Sequence, residues 1–170
     1  SYYDETEKIV EQVLSVGGKK IAVFYQDDAY GQAGLKGVEI AMTKRNLLID
    51  ALGAFERNTL KVENAVKTLN AAQPDAVVMI GAYHPCAEFI KLARTIGFNP
   101  IFVNISFVGS DALAMEVGHA GRGVVVTQVV PFPGDDSMPI TAHFRAALKA
   151  LDPKAEPGFE DLELQALESA

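Results

Sequence analysis

Cysteine occurs once in these 170 residues, as Cys86, which excludes an internal disulfide framework and a cysteine-rich zinc site. Positive charge is in deficit: 15 basic residues face 22 acidic ones, a formal net charge of −7. A nucleic-acid binder needs a basic face to displace counterions from phosphates, so that class is excluded. Long apolar runs are missing too, and none approaches the ~18 residues of a membrane-spanning helix. The opening Ser1-Tyr2-Tyr3-Asp4-Glu5-Thr6-Glu7 is polar and acidic where a secretory signal is basic and then apolar, so it reads as no signal peptide. Internal repeats and low-complexity stretches are absent. What is present is a 49% hydrophobic content, enough for a sizeable core in one domain.

The apolar residues alternate between two periods. Ile9, Val13 and Val16 at helical spacing predict a helix over roughly 5–16, ended by Gly17-Gly18. Ile21-Ala22-Val23-Phe24-Tyr25 is a continuous apolar run, the pattern of a strand covered on both faces. Further helices are predicted over about 30–44, from Val62 to Gln73, around Phe89 to Ile96, over 111–117 and over 140–151. Further strands are predicted over 47–55, 76–80, 101–103 and 123–130. Strands alternating with helices imply right-handed crossovers. The fold class is therefore α/β, a doubly wound parallel sheet of about five strands with helices on both faces, flavodoxin-like.

In such a sheet the ligand crevice lies beyond the carboxyl ends of the strands, in loops 26–31, 56–59, 81–85, 104–109 and 131–137. Asp27-Asp28 could hold Mg²⁺ as in a receiver domain, but the third strand runs into Gly81-Ala82-Tyr83, without a phosphate-accepting Asp. Capping of the next helix is the better reading. Gly31, Gly34 and Gly37 are spaced GxxGxxG, which is neither dinucleotide fingerprint nor phosphate loop, and favour close helix packing instead. His84 and Cys86 lack an orienting third group, so a packed thiol and a solvated imidazole are expected. His119 and His143 have no metal-ligand spacing. Ser110, in Val108-Gly109-Ser110-Asp111-Ala112, is not a nucleophile elbow and is expected to cap a helix. No catalytic set, metal site or cofactor motif emerges.

Tyr30, Tyr83 and Ser106-Phe107 form a different constellation, each just past a strand end at one edge of the sheet. Tyrosines offer a flat apolar body with a hydroxyl, and helix N-termini offer N–H groups to an anion. That chemistry holds a small solute without transforming it.

Several segments together carry a family resemblance. Ile21-Ala22-Val23-Phe24-Tyr25-Gln26-Asp27-Asp28-Ala29-Tyr30-Gly31-Gln32 resembles the strand-to-helix segment in the second lobe of type I periplasmic binding proteins, of the branched-chain amino-acid (Leu/Ile/Val) and amide-binding branch. Pro74-Asp75-Ala76-Val77-Val78-Met79-Ile80-Gly81-Ala82-Tyr83, Ala93-Arg94-Thr95-Ile96-Gly97-Phe98 and the stretch 121–131 resemble that family in the same order. The likeness spans about residues 1–159. It implies a clamshell of two α/β lobes that closes on a small solute, amino-acid or amide-like, and delivers it to the membrane subunits of an ABC importer. A periplasmic or extracytoplasmic location follows from the resemblance, as does a role without catalysis or cofactor.

The resemblance makes Tyr30 and Tyr83 second-lobe contacts, and Tyr30, Gly31, Tyr83, Ser106 and Phe107 are the residues expected to touch the ligand. Relatives commonly carry an acid at the position of Ser106, opposite the ligand's ammonium. A neutral hydroxyl cannot do this, since a buried cation would stay unpaired. Either the acid comes from elsewhere, with Glu56, Arg57 and Glu88 as nearby charged groups, or the ligand is no free α-amino acid. The chain matches one lobe only: 1–156 is expected to be a solute-binding lobe and 157–170 a segment toward a missing first lobe. Its exposed cleft face would then be covered, by that lobe or by self-association. Two alternatives stay open: the sensing lobe of a membrane receptor, and a flavodoxin-like or Rossmann-like enzyme domain.

Overall fold

Each amphipathic segment becomes a helix and each apolar run a strand, because only together do they bury their apolar faces. Helix α1 (Tyr2–Ser15) buries Ile9, Val10 and Val13 and leads into β1 (Ile21–Gln26). There follow α2 (Ala29–Thr43), β2 (Ala51–Phe55), α3 (Glu63–Ala72), β3 (Ala76–Ile80), α4 (Tyr83–Thr95) and β4 (Ile101–Asn104). A 3-10 turn at Ser106–Val108, α5 (Ser110–Val117) and β5 (Val125–Val126) complete the sheet region. The computed structural model describes residues 1–135, 137–159 and 161–162. It divides into two units, Ser1–Thr127 and Gln128–Ala170.

The first unit holds a five-stranded sheet in the order β2-β1-β3-β4-β5 with every pair parallel, as the sequence predicts. Side chains alternate across it. Ile21, Val23, Ala76, Val78, Ile80 and Val103 meet α1 and α2 on one face. Ala22, Phe24, Val77, Met79 and Phe102 meet α3, α4 and α5 on the other. The glycine spacing in α2 serves packing: a Cβ on Gly34 would lie 2.7 Å from the Ile80 side chain, and one on Gly37 would meet the Thr6 hydroxyl.

Several boundaries differ from the sequence reading; α1 starts at Tyr2 and α4 at Tyr83, each earlier than expected. The second strand begins at Ala51 instead of Leu47, because its partner β1 starts only at Ile21. The fifth strand has two residues instead of eight, because β4 ends at Asn104 and the chain turns at Ser106, leaving nothing further to pair with. Ser110 is the first residue of α5, and the cap position belongs to Gly109 at a φ of 81°.

In the second unit α6 (Pro139–Leu151) starts with proline, whose missing N–H costs nothing in a first turn. Thr141 is buried and donates its hydroxyl to the Asp135 and Met138 carbonyls. The rings of Phe132 and Phe159 lie 5.9 Å apart. Of the segment 157–170, residues 160 and 163–170 lie outside the described residues.

At the amino edge of the sheet, Asp75 ties two strand entries together. Its Oδ2 accepts from the backbone N–H of Lys19 at 2.7 Å and of Lys20 at 2.8 Å. These N–H donors, Lys20 first, hold the Asp75 carboxyl below its ordinary range. A depressed folded-state value means stability that is present above the unfolded value of about 4 and is lost as pH falls through the folded one. Acid titration of the unfolding midpoint should therefore show a steeper loss below about pH 4 in the wild type than in Asp75→Asn. Identical slopes would show that this carboxylate does not couple to folding.

Candidate functional site

A parallel sheet places all its carboxyl ends on one edge, and here the strand order reverses between β1 and β3, where crossovers to opposite faces open a crevice. Asp28 and Tyr30 follow β1, residues 56–59 follow β2, Tyr83 follows β3, Ser106 and Phe107 follow β4, and Thr127 follows β5.

The entrance to α2 is closed by its own cap. Asp28 Oδ1 accepts the Gly31 N–H at 3.0 Å, and Gln26 Nε2 donates to Asp28 Oδ2 at 2.6 Å. Arg57 Nη1 stands 3.7 Å from the same carboxyl oxygen. The Gly31 bond foremost holds the Asp28 carboxyl below its ordinary value, despite some burial. Capping thus occupies Asp28 as the sequence suggests, while Asp27 accepts from the Gln32 side chain at 3.4 Å, and the Gly31 amide is already spoken for.

Tyr30 lies behind this cap. Its ring is 5.2 Å from the Phe107 ring and 5.8 Å from Tyr2. Burial pushes the Tyr30 phenol far above its ordinary value, and the nearby Cys86, Tyr2, Glu5 and Asp28 add to this. Its hydroxyl is buried with no hydrogen-bond partner among the described residues. Phe107 is 63% exposed, so the pair presents aromatic surface outward over a polar atom held inward.

Ser106, the position that lacks the expected acid, faces one all the same. Glu5, from the first turns of α1, accepts the Ser106 N–H at 2.6 Å on Oε1 and the Ser106 hydroxyl at 3.3 Å on Oε2. The Thr127 hydroxyl also donates to Oε1. Glu5 is 9% exposed. Sequence reasoning missed it because Asp4, Glu5 and Glu7 together look like the acidic first turn of any helix. The available signal was spacing: Glu5 precedes Ile9 by four residues and Val13 by eight, which puts a carboxylate on the buried stripe. Of the charged groups considered from sequence, Glu56 is exposed, Arg57 turns to Asp28 and Glu88 is half-buried on α4; no hydrogen bond or ion pair joins any of them to Ser106.

Tyr83 sits apart from this cluster. It opens α4 beside His84, with the two rings stacked 5.0 Å apart. Both line a cavity of about 310 Å³ shared with Gln26, Asn58, Thr59 and Leu60. The cap position of α4 is Ala82, which brings no side-chain acceptor to the first-turn N–H groups. The structure thus unites Tyr30, Ser106 and Phe107, packs Gly31 against the Gln26 backbone as the donor to the Asp28 cap, and gives Tyr83 a separate cavity. Cys86 is wholly buried one turn further on, and burial pushes its thiol far above the ordinary value. Among the described residues no cluster of three or more His, Cys, Asp and Glu could hold a metal ion, and no helix is long and apolar enough to cross a membrane.

Comparison with known proteins places this edge in context. The chain is similar to a solved structure titled a "possible leucine/isoleucine/valine-binding protein" from Rhodopirellula baltica SH 1, at 37% identity and a TM-score of 0.89, over 96% of this chain and 46% of that one. A substrate-binding periplasmic protein from Ralstonia solanacearum shares 30% identity, with a TM-score of 0.85 over 96% of this chain and 47% of its own. An extracellular ligand-binding receptor from Verminephrobacter eiseniae ef01-2 shares the fold, at 24% identity, a TM-score of 0.75 and coverage of 95% and 46%. The chain therefore spans a little under half the length of these three proteins. No curated protein matches it. A sequence model described as "Periplasmic binding protein" matches residues 1–169, and the chain belongs to that family.

Proposed function

We propose that this chain is a solute-binding lobe of the branched-chain amino-acid or amide type, residues 1–156, acting opposite a first lobe and feeding an ABC importer outside the cytoplasm. The tail 157–170 would run toward that first lobe. The observation that carries the reading is the Tyr30 and Phe107 pair: aromatic surface at the carboxyl edge of a parallel sheet, over a buried phenol hydroxyl without a partner. Such a surface sheds water readily and offers one hydrogen bond, which suits retention of a small solute and supplies no nucleophile or base. Tyr30, Ser106 and Phe107 would form one part of the contact surface, with Gly31 shaping it, and Tyr83 would add the second from its cavity. Capture would work by population shift, since a solute touching both lobes favours the closed form by its additional contacts there. Membrane subunits and the first lobe are the partners implied. In their absence the exposed Phe107 favours self-association.

The test is an amide NMR titration of the ¹⁵N-labelled protein with Leu, Ile, Val, the aromatic amino acids and short amides. Saturable shifts should cluster at Tyr30, Gly31, Tyr83, Ser106 and Phe107. Half a cleft is expected to retain a Kd of about 1 mM, or about −4 kcal/mol. Shifts confined to the opposite edge of the sheet, around Asp75 and Pro100, would overturn the site.

A further inference from the structure

A sheet edge is a row of unpaired N–H and C=O groups, and proteins blunt it by shortening the strand, bulging it, or placing proline or charge on it. The two edges of this sheet are treated differently. At one, β5 is cut to two residues, Val125–Val126. At the other, β2 keeps five, Ala51-Leu52-Gly53-Ala54-Phe55, with no proline or charge among them and an unbroken parallel register to β1. Among the described residues no strand pairs with its far side.

Phe55 turns its carbonyl toward β1, where it accepts the Asp27 N–H at 2.8 Å. Because peptide groups alternate along a strand, Leu52 and Ala54 point theirs outward. Both side chains are exposed, Leu52 by 44%. With Ile40, Leu47, Leu48 and Ile49, Leu52 lines a hollow of about 640 Å³, and Leu48 is 83% exposed. Charge does not guard this flank. Asp50, just before the strand, is turned inward: its N–H donates to the Ile21 carbonyl at 2.9 Å and its Oδ2 accepts the Ile21 N–H at 2.8 Å. Lys36 and Lys44, which also line the hollow, are paired within the chain, with Glu39 at 3.1 Å and Glu7 at 2.8 Å. In a chain of net charge −7, this edge therefore meets a second copy without opposing two acidic surfaces.

We propose that β2 pairs antiparallel with β2 of a second copy of this chain, across a two-fold axis at Gly53, and joins the two five-stranded sheets into one. The strand is self-complementary about that glycine. Leu52 exchanges its backbone bonds with Ala54 of the second copy, and Ala54 with Leu52 of the second copy, so each large side chain faces a small one. The two Gly53 residues meet at the position without hydrogen bonds, where Cα atoms approach to about 4.5 Å and no side chain stands between them. Pairing sets the two hollows side by side and withdraws Leu52 from water. The contact lies at the flank of the sheet, away from the carboxyl edge, so it is independent of the solute-binding reading and of association through Phe107.

Sedimentation equilibrium should show a mass rising from one chain to two as the protein concentration approaches about 1 mM. Leu52→Lys sets a charge on the open edge and should weaken the dimer by about tenfold or more. Amide hydrogen exchange of the wild type reads the pairing itself. The Leu52 and Ala54 amides should exchange more slowly as concentration rises, while those of Gly53 and Phe55, turned toward β1, should keep their rates. If Leu52→Lys loses its dispersed amide spectrum, this exchange pattern decides alone. A single-chain mass at every concentration, a dimer undiminished by a folded Leu52→Lys, or Leu52 and Ala54 amides indifferent to concentration would overturn the pairing. So would a dimer lost in Phe107→Ser and kept in Leu52→Lys, which would place the contact at the carboxyl edge.

Discussion

Replacing Phe24 by alanine should destabilise the protein by about 3–5 kcal/mol, the range of large-to-small changes at fully buried aromatic positions. Phe24 is fully buried at the centre of β1. Its ring stacks on Phe55 at 4.7 Å and lies 4.3 Å from Phe89, which in turn meets Phe102 edge-on at 6.2 Å. Removing it leaves a void bounded by β2 and α4, neither of which can collapse inward while the parallel ladder holds β1 to both neighbours. Domains of this size are stable by only about 5–15 kcal/mol, so the variant would sit near the limit of folding. Urea unfolding followed by circular dichroism reads the change directly. A loss below about 1.5 kcal/mol would mean that the aromatic stack is not the structural centre of that face.

Gly31→Ala should be nearly as damaging, for a reason of backbone geometry. A Cβ on Gly31 would land on the Gln26 carbonyl oxygen and lie 2.7 Å from its carbonyl carbon. A crowded side chain can rotate away, whereas a strand-end carbonyl held within a sheet cannot. The first turn of α2 would have to lift from β1, breaking the Asp28 cap and moving Tyr30 off Phe107. The expected cost is about 2–3 kcal/mol, the upper part of the range for overpacking. Because Gly31 is also a proposed contact residue, stability and binding must be read separately. A lowered unfolding midpoint with displaced Gln26 and Asp28 amides marks a packing glycine. An unchanged midpoint with weakened solute binding would mark a ligand contact and disprove the close approach.

Helix and strand existence could be read from local pattern because each apolar run and each amphipathic stretch carries its own period. Ala76-Val77-Val78-Met79-Ile80 became a strand buried along its whole length, and the capping role of Asp28 followed from its place before a helix. Boundaries were less legible where a strand's length depends on its neighbour. Val125 and Val126 pair and the β-branched run around them does not, because β4 stops at Asn104. No property of the 123–130 segment alone contains that limit.

The site divides in the same way. The identity of the loops, the edge they share, and the aromatic and small polar residues on them follow from chain order alone, because parallel crossovers return every strand end to one side. The meeting of Tyr30 with Phe107, the separation of Tyr83 into its own cavity, and above all the arrival of Glu5 at Ser106 were decided by tertiary packing. Glu5 and Ser106 are 101 positions apart, and no local rule connects an acid in a helix's first turns to a turn after the fourth strand. The connection exists because α1 packs across β1, β3 and β4 with its polar residue at the level of their carboxyl ends. Periodicity reveals which side of a helix is buried, while the depth at which a given residue meets the sheet emerges only when the whole layer is assembled.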